Sequence, residues 1–79
     1  VEGRRMKEEL ERILTTLADA GCGSGELERA ERLYGAGDPE ALIRHFRKCR
    51  CSRMEELHEI QRRVDRLDLL IRQTAKGIR

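Results

Sequence analysis

Five residues of this 79-residue chain carry side chains suited to binding soft metals or to nucleophilic attack: Cys22, His45, Cys49, Cys51 and His58. Their spacing decides which of them can act together. Cys49 and Cys51 are two apart, so a helix points them about 200° away from each other, and one ion cannot bridge them unless the backbone unwinds. His45 and Cys49 are four apart and share a helical face. Cys22, inside the glycine-rich stretch "GCGSG", supplies a third ligand if that stretch folds onto the same face. His45, Cys49 and Cys22 are therefore the set from which a zinc or thiophilic-metal sensor would be built. Against it stands the commoner use of free cysteine as a small buried hydrophobe, and the lack of any C-x-x-C pair. His58, alone among charged residues, reads as solvated.

Catalysis has less to work with. No strand-turn-helix context or oxyanion loop accompanies the cysteines, and the adjacent acids Glu8–Glu9 and Glu55–Glu56 read as solubilising surface. "GCGSG" lacks the lysine and the preceding strand of a phosphate loop. The chain is expected to be no enzyme and to need no cofactor. A charge pattern is more informative: Arg44, Arg47, Arg50 and Arg53 recur every three residues, a slanted basic ridge that could follow phosphates. Phe46 is the one aromatic nearby, so the ridge offers phosphate contact and not base reading. The same ridge equally suits solvent or the acidic half of a second copy. Residues 1–40 hold ten acids and six bases, whereas residues 41–79 hold five acids and eleven bases, so the near-neutral total hides two opposed fields.

The elements that must position these residues are helices. With 3% aromatic residues and 41% charged, the core must be built from Leu, Ile, Val, Ala and Met, and helices tolerate such charge on their outer faces. An all-α fold is expected in one small domain, residues 1–79. Helix 1 is placed at about residues 4–20 by Met6, Leu10, Ile13, Leu14 and Leu17, with Gly21 as its left-handed cap. Helix 2 is placed at about 24–35, with Ser24 as N-cap and Leu27, Ala30, Leu33 and Tyr34 facing inward. Asp38, Pro39 and Glu40 then open a long helix, about 38–77. "SRME" at Ser52–Glu55 spells a capping box that could break it near residues 50–52, but no Gly or Pro marks a break, which favours one rod of about 60 Å.

The far half of that rod carries the clearest pattern. In "EIQRRVDRLDLLIRQT" the apolar residues return at alternating steps of four and three, and at heptad spacing the line runs back through Arg53, Arg50, Phe46 and Ile43. Leu57, Ile60, Val64, Leu67 and Ile71 form a seam that two short helices cannot cover, so a homodimer is expected, with the long helices packed as a coiled coil. A monomeric three-helix bundle with a folded-back tail is the alternative. An odd cysteine count, without a signal sequence or membrane-length apolar run, points to a cytoplasmic protein with no membrane partner.

From Ala18 onward, "LADAG", "LERAERLY", "GD" and "LDLLI" follow one another as in the helical region after the winged helix of MerR-type transcriptional regulators, which the last sixty or so residues resemble. The resemblance implies a short helix, a turn and a long helix pairing antiparallel with its twin: a dimerisation and effector-side module. The DNA-reading domain of that family has no counterpart here, so DNA reading is not implied. The function expected is that of a non-enzymatic dimerisation or protein-interaction module of a bacterial regulatory protein, whose partners are a second copy and another regulatory protein. The alternatives are an accessory protein that binds nucleic acid through the basic ridge, or inhibits a protein that does, and a metal or thiol sensor.

Overall fold

A computed structural model describes residues 2–78, with side chains from Arg5 to Ile78. Three helices follow in order, α1 Glu2–Asp19, α2 Ser24–Gly35 and α3 Pro39–Gly77, and no strand forms among the described residues. The molecule is a rod with a small head, 72 × 20 × 16 Å.

Both turns are made the same way. Gly21 takes φ 85° and Gly37 φ 68°, left-handed values that a side chain would strain. At the first turn the Gly21 amide donates to the Ala18 carbonyl and the Cys22 amide to the Leu17 carbonyl, each at 3.0 Å. At the second, the Gly37 amide donates to Tyr34 at 3.1 Å and the Asp38 amide to Leu33 at 3.5 Å. This paired pattern closes the carbonyl end of a helix and aims the next residue back over its last turn. It thereby fixes Cys22 after α1 and Asp38 before α3. Asp38 accepts the Ala41 amide at 3.1 Å and Pro39 opens the helix, as its sequence indicates.

Ser24 does not cap α2. The cap is Gly23, whose amide donates to Glu26 Oε1 at 3.2 Å, so the carboxylate three residues on takes up the cap amide and Ser24 becomes the first helical residue. The break considered near residues 50–52 is also absent: α3 passes through Ser52–Glu55 as one helix.

Leu17, Ala30, Leu42 and Cys49 form the buried core, and Ile13, Leu14, Leu27, Leu33, Tyr34 and Phe46 pack around it. Ala30 is completely buried, and its single methyl lets α2 lie close against its neighbours. The Tyr34 hydroxyl lies 3.1 Å from both the Met6 carbonyl and Glu9 Oε2, sharing its one proton between them, and ties the end of α2 to α1. Burial, and after it the Glu9 carboxylate, raise the pKa of this phenol.

On α3 the inward residues are Leu42, His45 and Cys49, with Phe46 half-buried, whereas Ile43 and Arg50, expected on the heptad line, are exposed. The reason is the period: an undistorted helix drifts about 20° per heptad, so the buried stripe follows 3.6 residues and not 3.5. At about 100° per residue, Leu42, Phe46, Cys49, Ile60, Val64, Leu67 and Ile71 fall within about 60° of one another. One stripe therefore runs the length of α3. Its first part is covered by α1 and α2; from Glu55 to Ile78 every residue but Glu59 is exposed. No described helix is long and apolar enough to cross a membrane.

Candidate functional site

The head of the molecule brings three potential ligands together from three elements. The turn after α1 delivers Cys22, the first turn of α2 delivers Glu26, and the buried face of α3 delivers Cys49. One ligand atom from each lies within 4.8 Å of both others. His45 is one turn before Cys49, its Nε2 3.7 Å from Cys49 Sγ and 2.8 Å from the backbone carbonyl of Glu26. A carbonyl only accepts, so Nε2 is assigned the proton and donates it there. His45 thus fastens α3 to α2 with the nitrogen nearest the cluster. Arg53 closes the other side: Nη1 donates to Glu26 Oε1 at 3.1 Å, while Nε and Nη2 each reach the Glu56 carboxylate at 3.0 Å.

These neighbours set the charge states. The Cys49 thiol, then the Gly23 amide, then the Arg53 guanidinium stabilise the Glu26 carboxylate and hold its pKa at about 2, against an ordinary 4.5. Burial, followed by that carboxylate, pushes Cys49 up from 9.0 to about 12, so the thiol stays neutral. Hydrogen bonds to Glu56 and Glu26 hold Arg53 firmly protonated. A folded-state pKa below the unfolded value contributes stability that is complete above about 4.5 and lost as pH falls toward about 2. Glu26→Gln is therefore expected to flatten the acid limb of the unfolding curve between those values, measured by circular dichroism with a chelator present; an unchanged limb would remove this role for Glu26.

Of the metal-ligand set read from the sequence, Cys22 and Cys49 are brought together, and His45 is beside Cys49 but committed to the Glu26 carbonyl. Glu26 takes the place expected of His45. In the sequence it reads only as an acid near the start of a helix; its one further signal is its place four residues after Cys22. Cys51 and His58 are exposed.

The basic ridge is only partly assembled. Arg44, Arg47 and Arg50 are exposed, but Arg53 is half-buried in its ion pairs and turned toward the head. Arg29 of α2 instead joins Arg44 and Lys48 around a shallow groove of about 110 Å³.

The seam residues lie together on the uncovered part of α3. Val64 is the least exposed at 43% and Ile71 the most at 63%, with Leu57, Ile60 and Leu67 between. Charge is graded along this segment: Glu55, Glu56 and Glu59 stand at its start, Arg72 and Lys76 at its end. Glu59 pairs with Arg62, which lowers its pKa. Comparison with protein-family models, curated proteins and solved structures returns no match.

Proposed function

We propose that the chain is a helical dimerisation module of the bacterial regulatory type, working through its surfaces and without catalysis, and that two copies pack their α3 helices antiparallel along Leu57, Ile60, Val64, Leu67 and Ile71. The observation that carries this is the single stripe on α3. Its first half is covered within the chain; its second half is as apolar, continues on the same face, and is left bare. Such a face on a 39-residue helix is what a coiled-coil partner covers.

A second copy suits the face because of charge. Antiparallel packing sets Glu55, Glu56 and Glu59 of one copy beside Arg72 and Lys76 of the other, whereas parallel packing lines up acids with acids and bases with bases. The layers that pair Val64 with Leu67, Ile60 with Ile71 and Leu57 with Thr74 satisfy both the stripe and this gradient. The likeness to the dimerisation region of MerR-type regulators agrees with this arrangement and belongs to the same proposal. The Arg29–Arg44–Lys48 groove supports phosphate contact as a second reading. It is subordinate because Arg53 is drawn away and no exposed aromatic stands by for stacking.

A zero-length carbodiimide cross-linker applied to a mixture of isotope-labelled and unlabelled chains tests the packing. Lys76 lies about 25 to 32 Å from Glu59 and Glu55 along one helix, at about 1.5 Å per residue, so a bond between them must come from another copy. The antiparallel dimer yields mixed-isotope links from Lys76 to Glu55, Glu56 or Glu59. A parallel dimer or a monomer yields none.

A further inference from the structure

We propose that Cys22, Glu26 and Cys49 form a binding site for a divalent thiophilic cation, zinc being the natural occupant, which would clamp the turn between α1 and α2 onto α3. The inference is independent of the dimer: it concerns the head of the molecule, and no residue of the seam takes part.

Geometry carries it first. The three ligand atoms already lie within 4.8 Å of one another. A tetrahedral zinc ion, with sulfur at about 2.3 Å and oxygen at about 2.0–2.2 Å, sets its ligand atoms roughly 3.5–3.8 Å apart. Closing the site therefore takes an inward movement of about 1 Å or less, within the reach of side-chain rotation. The ligands also come from rigid places. Cys22 is held by the hydrogen bond its amide donates to the Leu17 carbonyl, Glu26 by the one it accepts from the Gly23 amide, and Cys49 by its burial on α3.

Charge carries it further. On binding, the Cys22 and Cys49 thiols release their protons to solvent, so two thiolates and a carboxylate bring three negative charges against the two positive of a divalent cation, and Arg53, 3.1 Å from Glu26 Oε1, stands between this excess and the Glu56 carboxylate that it also pairs. With Glu56 counted the group keeps one negative charge, carried at its solvent-exposed edge. Beside an S₂O set the Arg53 guanidinium offsets part of the ligands' excess negative charge. Two sulfurs and one oxygen select a soft or borderline ion over magnesium or calcium, and three protein ligands leave a fourth position for water or a small exogenous ligand. His45 is a positioning residue here. The hydrogen bond its Nε2–H donates to the Glu26 carbonyl holds Glu26 on α2 against Cys49 on α3.

The test uses the intact chain, reduced and freed of metal by chelation. Cobalt(II) serves as the spectroscopic probe, and zinc is titrated against a chromophoric chelator. One equivalent per chain is expected, with a thiolate-to-cobalt absorption band that zinc abolishes. Cys22→Ser and Glu26→Gln, neither of which empties the buried core, should each weaken uptake by roughly tenfold or more. Cys51→Ser should titrate like the parent, and so should Val64→Asp, which separates this result from the fate of the dimer. Two outcomes would overturn the site: no thiolate band in the parent chain, or uptake that is undiminished in a Cys22→Ser chain that keeps its helices. Circular dichroism on each variant verifies that the helices are retained. If Cys22→Ser loses them, Glu26→Gln decides, and undiminished uptake there overturns the site.

Discussion

A Val64→Asp chain is expected to remain a monomer at concentrations where the parent chain is dimeric, with its dissociation constant raised roughly a thousandfold. Val64 sits mid-seam, and each copy of the dimer would bury one carboxylate among Ile60, Leu67 and Ile71 of its twin. Burying an unpaired polar or charged group costs at least about 2 kcal/mol, and the symmetry of the pair counts it twice. About 4 kcal/mol corresponds to roughly three powers of ten in the constant. Within one chain the same substitution meets neither α1 nor α2, because Val64 is 43% exposed and lies in a stretch of α3 where every residue from Glu55 to Ile78 but Glu59 is exposed. The mass by light scattering should halve while far-ultraviolet circular dichroism of the whole chain stays that of a mainly helical protein. A variant that stays dimeric would place the interface elsewhere.

Leu42→Ala is expected to cost about 2–3 kcal/mol of unfolding free energy, the lower part of the usual range for such a truncation. Leu42 is 8% exposed and joins Leu17, Ala30 and Cys49 at the centre of the head. Two considerations fix the magnitude. The transfer term for the lost methyl groups is paid in full, since the side chain is buried. The cavity term is small, since Leu42 borders an open hollow lined by Met6, Ile13, Leu33 and Tyr34, so water enters the space left behind. For a chain of 79 residues the whole stability is about 4–12 kcal/mol, so this one truncation removes a large share of it. Urea unfolding of Leu42→Ala at a fixed chain concentration, compared with the parent, reads the difference, because the proposed dimerisation would make the midpoint depend on concentration. A loss under about 1 kcal/mol would show that the head is held by something other than this cluster.

Much of the architecture was legible in the residues because it is set locally. Gly21 and Gly37 end helices where only a left-handed residue serves, and Asp38 with Pro39 starts one; such signals need no knowledge of the rest of the chain. The apolar residues of α1 and α2 likewise declare their inner faces. What the sequence did not disclose depends on contacts between elements. Glu26 looks like one acid among many until α3 carries Cys49 and Arg53 up to it. Arg53 looks like a fault in the apolar stripe, yet it lies on that stripe because its guanidinium reaches across to Glu26, where the covered half of α3 ends. Arg50, read as a second fault, lies off the stripe altogether, because the helix keeps its own 3.6-residue period and not the heptad. Arg29 becomes a neighbour of Arg44 and Lys48 only through the docking of α2 on α3.

The stripe also explains why the molecule has two parts. Up to Arg53 the chain supplies its own cover in α1 and α2, and the ion pairs of Arg53 with Glu26 and Glu56 mark the edge of that cover. Beyond it, α3 keeps an apolar face with no described residue to meet it. Most of a helix's stability in a protein comes from packing an amphipathic face and not from propensity, so the far half of α3 gains most from a partner that buries that face.

Sedimentation equilibrium of the intact chain over a range from about 1 to several hundred micromolar, under reducing conditions, tests the central claim most directly. The apparent mass should climb from the 9.2 kDa of one chain to twice that value and then level off. A mass that stays at one chain across the whole range, with the helices intact, would contradict it.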